Sequence, residues 1–273
     1  MSSFIRKYCA VVPMVLAVAF MSFSTNVRAQ AETATPCGRA GNPRLPELLK
    51  KGSIGALTWW GGVHMGGDIC DWSSSHLGAT GKPPVKPIPT ANMDEDEAEY
   101  ASWRALENWS CMYTALSAMD GDTSTAWCEG KKDEGVGEVL VVKVDTTKPV
   151  RIWSGLGASD HLYKANNRAR KIRIWALQAR QARKEIGQYE TGLVFEDITV
   201  VGSHEVTLKD LNGWQPLPLP PRRGLAFRSV IENGKPAVDH KDSTFLAVEI
   251  LSVYRRTKYN DTCISEIGIE QGK

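Results

Sequence analysis

Neither sign of charge dominates this chain: 33 lysines and arginines stand against 31 aspartates and glutamates. So small a net charge gives no footing for broad binding to nucleic acid or to an anionic membrane. Local basic clusters do occur, at Arg168, Arg170, Lys171 and Arg173 and again at Arg180, Arg183 and Lys184, and such runs read first as solvated faces. The compact signatures of catalysis are missing too. There is no GxSxG elbow, no HExxH helix and no GxxxxGK phosphate loop. Asp160-His161 and Asp239-His240 are sequence neighbours, a spacing that does not let a carboxylate orient an imidazole as a triad requires. These absences argue against an enzyme. Internal repeats are also lacking, and beyond the N-terminus no apolar run is long enough to span a bilayer.

What is present begins with a leader. Arg6 and Lys7 precede an apolar run from Tyr8 to Phe23, and small-residue cleavage sites follow at Val27-Arg28-Ala29 and Ala29-Gln30-Ala31. This pattern predicts a secretory signal peptide over residues 1–29 and a secreted or periplasmic product with no integral membrane segment after cleavage. The run is shorter than the roughly 20 residues of a spanning helix, and Pro13 interrupts it. Losing the leader removes Cys9 and leaves Cys37, Cys70, Cys111, Cys128 and Cys263. An oxidising compartment then predicts two disulfides and one free thiol. A zinc site from Cys37, His64, Cys70 and His76 matches no compact ligand spacing.

Residues 30–106 differ in character from the rest and read as an N-terminal extension, irregular with short helices. Pro and Gly are frequent there, and helices are expected at Leu45 to Lys51 and at Asp94 to Trp109. The second opens on a block of acids and carries Tyr100, Trp103, Leu106 and Trp109 at helical spacing. Trp59, Trp60 and Trp72 in TWWGGVHMGGDICDW read as packing residues more than as a ligand platform. From 107 to 273 short Val- and Ile-rich segments alternate with Gly, Pro and Asp, and KIRIWAL and ISEIGIE show period two most clearly. Strands are expected at 138–144, 150–154, 171–177, 193–200, 205–208, 225–230, 245–253 and 263–270, with the Pro216 to Pro221 stretch at an edge or in a loop. Eight short strands without intervening helices predict an all-β domain, an antiparallel jelly-roll β-sandwich.

Two stretches carry chemistry. In DGDTSTAWCEG, residues 120 to 130, Asp120, Gly121 and Asp122 suit a tight turn, and the same carboxylates could cage a hard cation such as calcium. Capping of the turn by its own backbone amides is the alternative. In WSGLGASDHLYKANNRAR the candidates are Trp153, His161, Tyr163, Lys164, Asn166, Asn167 and Arg168. A sugar needs a flat apolar ring for its C–H face and planar amides or a guanidinium for its hydroxyls, and this stretch, read as a loop, holds both. The alternative is that Asn166 and Asn167 shape a turn and Arg168 pairs with an acid.

DGDTSTAWCEG, GVGE at 135–138, LYKANNRARKIRI at 162–174 and SVYRRTKYNDTCISEI at 252–267 together resemble the discoidin family, also described as coagulation-factor type C or galactose-binding-like, in its NADase-type translocation or glycan-binding branch. The resemblance covers about 107 to 270. It implies a galactose-binding-like sandwich whose end loops bind a ligand, usually a glycan, and a module that accompanies catalysis elsewhere without performing it. It implies a structural calcium on Asp120, Asp122, Thr125 and Glu266. It also places the acidic turn beside the last strand, which makes Cys128–Cys263 the first choice of disulfide and Cys111–Cys263 a rival; the second bridge then comes from Cys37, Cys70 and whichever of Cys111 or Cys128 remains, with Cys37–Cys70 the simplest choice. The expected function is an exported carbohydrate-binding or cell-surface adhesion module for a glycan or cell-surface polysaccharide, with a structural or protein-interaction domain as the alternative.

Overall fold

A computed structural model describes residues 35–60, 66–85, 93–186, 191–221, 223–232, 235–236, 238–256 and 258–270. The expected leader, Cys9 and His64 lie outside these residues. Both expected helices form, as α1 (Leu45–Lys51) and α2 (Glu95–Ser110), and a short α3 (Asp160–Ala165) is added. Helix α2 starts where Asp94 accepts a hydrogen bond from the amide of Glu97, with acids filling its first positively polarised turn. Helix α1 ends at Gly52, which takes φ 91°.

The strands are β1 (Ser53–Trp59), β2 (Trp127–Cys128), β3 (Val139–Lys143), β4 (Val150–Ser154), β5 (Asn167–Gln178), β6 (Gln181–Ile186), β7 (Thr191–Thr207), β8 (Gln215–Leu217), β9 (Arg228–Ser229), β10 (Ile231–Glu232), β11 (Lys235–Pro236), β12 (Thr244–Tyr254) and β13 (Thr262–Ile269). The fold is all-β, as expected. On one side β12 lies antiparallel between β3 and β5, and β5 continues into β7. On the other, β13 takes β2 and β4 antiparallel, and β8 closes the edge beside β4. The two sets join where β13 and β5 begin side by side, with Thr262 opposite Asn167 and Cys263 opposite Arg168 in a parallel pairing. Alternation decides the faces. Ile172, Ile174 and Ala176 of β5 point inward and meet Val248 and Ile250 of β12 and Ile152, Ile264 and Ile267 of the opposite set in one apolar core.

The described part of the extension, from residue 35 on, belongs to the same unit as the strands. Residues 35–273 form one compact unit. Strand β1 pairs antiparallel with β7, Ser73 bridges Leu140 of β3, and the boundary expected at 106–107 falls inside α2. Trp72 is fully buried, its ring 5.5 Å from that of Trp59 and 5.8 Å from that of Phe245, so these tryptophans do pack the extension onto the sheet. β3 is buried along Val139–Val142 because it has neighbours on both faces and both edges. The aromatic spacing of α2 misleads: Tyr100 and Trp103 are exposed, and the buried positions are Ala98, Glu107 and Ser110.

The disulfides are Cys128–Cys263 and Cys37–Cys111. The expected Cys37–Cys70 bridge is thereby corrected. Cys70 sits fully buried in a 3-10 turn, Gly66–Trp72, with its thiol pushed up by burial, while Cys111 at the end of α2 meets Cys37 instead.

Candidate functional site

One end of the sandwich gathers most of the residues singled out above. Glu266 of β13 stands opposite Trp153 of β4, and the amide of Gly121 in the acidic turn donates to its carboxylate over 3.0 Å. Gly157 packs tightly between the Thr123 carbonyl and the Trp153 indole, which seats the acidic turn against the segment after β4. The segment between β7 and β8 completes this end. Trp153 Nε1 donates to Asn212 Oδ1 over 3.1 Å, and Asn212 Nδ2 donates to Asp160 Oδ1 over 2.7 Å. The Trp153 ring meets that of Trp214 edge to face at 5.8 Å, and the Arg151 guanidinium lies 3.9 Å from the Trp214 ring centroid. Trp153, Trp214, Arg151 and Asn212 are half-buried, and Asp160 and His161 are exposed. The result is a partly open aromatic and amide surface.

The expected ligand loop is mostly not a loop. Ser159 caps α3 by accepting from the amide of Leu162, and β5 begins at Asn167. Tyr163, Asn166, Asn167 and Arg168 are therefore buried, and of the six proposed ligand residues Trp153 and His161 alone reach solvent. The buried four build a polar node around a residue that the sequence did not single out, Asp210. Its Oδ1 accepts from Tyr163 Oη at 2.8 Å and from Arg168 Nε at 3.0 Å, and Arg168 Nη2 also pairs with it. Its Oδ2 accepts from Arg256 at 3.1 Å. Arg168 also donates to the carbonyls of Asn166 and Tyr254. Asn166 donates to the Leu162 carbonyl, and Asn167 joins the Asn260 carbonyl to the Arg256 amide. Burial works against the Asp210 charge, yet the bonds from Arg168 and Tyr163 hold its carboxyl below the usual range. Burial, more than the Asp210 bond, pushes the Tyr163 hydroxyl up to about 12. Gly155 makes the node possible. It has φ 104°, and a Cβ there would stand 2.5 Å from Arg168 Cγ and 2.7 Å from Tyr163 Cε2.

The calcium set can be tested on its own geometry. Asp120 Oδ1 accepts from the Asp122 amide and its Oδ2 from Thr125 Oγ1, both at 2.8 Å. Asp122 Oδ1 accepts from the Ser124 amide at 2.8 Å. Glu266 is buried, and burial followed by the Asp120 charge pushes its carboxyl up to about 8. The charge of Asp120 close by adds to that upward push. Among the described residues no three His, Cys, Asp or Glu side chains are placed to hold a metal. The turn closes on its own donors, and these four residues as arranged do not fit a calcium cage.

Signals for the missed residues were faint. Asp210, Asn212 and Trp214 lie in KDLNGWQ, which reads as an ordinary turn, and only the return of β8 beside β4 brings it to Trp153.

Comparison with known proteins agrees with this architecture. No curated protein matches the chain. Among solved structures, the cryo-EM structure of the arabinofuranosyltransferase AftD from Mycobacteria aligns at 14% identity with a TM-score of 0.29, covering 57% of this chain and 9% of that one. The chain thus spans less than a tenth of that protein, and so low a score carries no argument. The NAD glycohydrolase translocation F5/8 type C domain matches residues 94–270, from the cap of α2 to the end of β13 and more than half of the sequence. That family is a discoidin-like translocation module and not a catalytic fold, and the chain belongs to it.

Proposed function

We propose that this protein is an exported, non-catalytic module that binds a saccharide of a cell surface or extracellular polymer at the end carrying Trp153, Asn212 and Trp214. The arrangement of Trp214 supports the reading most. Its half-buried ring is braced by the Trp153 edge and the Arg151 guanidinium, beside an amide already fixed by hydrogen bonds to its neighbours. A braced aromatic face next to a fixed amide suits a sugar ring, which presents C–H groups on one face and hydroxyls at its rim. A platform held before binding also loses little side-chain entropy on contact. Asp160, bonded to Asn212, stands at its border as a further hydrogen-bonding group. The leader read from residues 1–29 and the two disulfides favour an oxidising destination outside the cytoplasm. Among the described residues no helix is long and apolar enough to cross a membrane.

A glycan array probed with the mature chain, wild type beside Trp214→Ala, tests the reading. Saccharide spots bound by the wild type and lost in a variant of unchanged melting temperature would support it. A blank array would favour a structural or protein-interaction role for the sandwich.

A further inference from the structure

The basic run of β5 divides three ways. Arg168 is buried against Asp210, and Lys171 and Arg173 pair with Glu205, but Arg170 is exposed over the Tyr254 ring, 5.6 Å from its centroid. Further exposed cations stand on the segments bonded to this part of β5. The Tyr254 hydroxyl donates to the Leu208 carbonyl over 2.9 Å, which sets Lys209 beside it, and the Leu208 amide in turn donates to the Arg170 carbonyl. The amide of Tyr259 donates to the Ala165 carbonyl, which brings Lys258 and Tyr259 next to Lys164. Lys258 Nζ lies 5.1 Å from the Tyr259 ring centroid, and that tyrosine is 41% exposed. Among the described residues none of Lys164, Arg170, Lys209 and Lys258 is in an ion pair, whereas the nearby Asp210 is already held by Arg168 and Arg256.

We infer that this face binds a linear anionic polysaccharide, one bearing carboxylate or sulfate groups. The inference rests on the saccharide reading above and narrows its ligand. Charge complementarity argues for the anion: four exposed side chains carry positive charge that is in no ion pair among the described residues, in a chain of nearly balanced composition. Continuity argues for a polymer. Lys209 and Trp214 stand on one short segment, at most about 18 Å apart along the backbone, a distance that a polymer of sugars covers.

Dextran sulfate and unmodified dextran, with polygalacturonate as the carboxylated probe, test this by affinity electrophoresis of the mature chain. Binding to both anionic polymers at least tenfold tighter than to dextran, weakening severalfold as salt rises, is expected. The triple variant Arg170→Gln, Lys209→Gln, Lys258→Gln should lose that preference at an unchanged melting temperature. Salt-insensitive binding of dextran alone, abolished by Trp214→Ala, would overturn this inference and leave the saccharide reading standing. Failure to bind any saccharide would overturn both. Tighter binding to phosphatidylserine vesicles or RNA than to either anionic polymer would also overturn it.

Discussion

Arg168, only 1% exposed, is held by Asp210 forty-two positions further along the chain, and this pair locks the start of β5 to the segment before β8. A buried guanidinium that loses its counter-ion is costly, because desolvation of the charge is no longer offset. Asp210→Ala should cost about 3 kcal/mol, the low end for breaking such a pair, since Asp210 itself is one-third exposed. In a domain of this size that is a melting-temperature loss of about 6–12 °C. A loss below about 2 °C would show that the carbonyls of Asn166 and Tyr254 suffice for Arg168.

Stability should fall as pH rises from about 6.5 to 8. Glu129 is fully buried, and burial pushes its carboxyl up to about 7, although the amides of Lys131 and Thr262 donate to it; Glu266 is pushed up to about 8. A carboxyl raised in the folded state binds its proton more tightly there than in the unfolded chain. Its contribution is full below its ordinary value and is lost as pH climbs through the raised one. His76, depressed by burial, acts in the opposite sense below about 6.5, which sets the lower limit of the window. Thermal unfolding at the two limits checks this, and Glu129→Gln should flatten the slope. A melting temperature that rises across the window contradicts the prediction.

Non-reducing peptide mapping should recover Cys128–Cys263 and Cys37–Cys111, with Cys70 alkylated only after denaturation. The first bridge joins positions 135 apart, so replacing both cysteines by alanine should cost about 4–5 kcal/mol on the chain-entropy model. A Cys70 peptide found in a disulfide would overturn the assignment.

Chelation should leave the melting curve in place within about one degree, since the acidic turn is closed by Asp122, Ser124 and Thr125 donors and by the Gly121 amide bond to Glu266. A clear drop in EDTA that calcium restores would mean that these carboxylates hold the cation.

Much of the fold was legible because its causes are local. Alternation in KIRIWAL and ISEIGIE and the acids opening α2 each act within a few residues. The β6 strand was missed because QARKEI buries only the small Ala182, with Lys184 on the same face, and holds its place by pairing with β7. The site was legible only in part. Trp153 and the acidic turn announced themselves, but Asn166, Asn167 and Arg168, whose residue types suit a sugar, are buried partners of Asp210 and its surroundings. Which of these roles a polar residue takes depends on contacts some forty positions or more away in sequence, and a single sequence does not display them.

Isothermal titration calorimetry of the mature protein with the best-bound glycan of the array, wild type against Trp214→Ala, tests the central claim most directly. One saturable site, weakened at least tenfold in the variant with no change in melting temperature, is the expected result. Equal affinity in the two proteins would contradict a saccharide site at Trp153, Asn212 and Trp214.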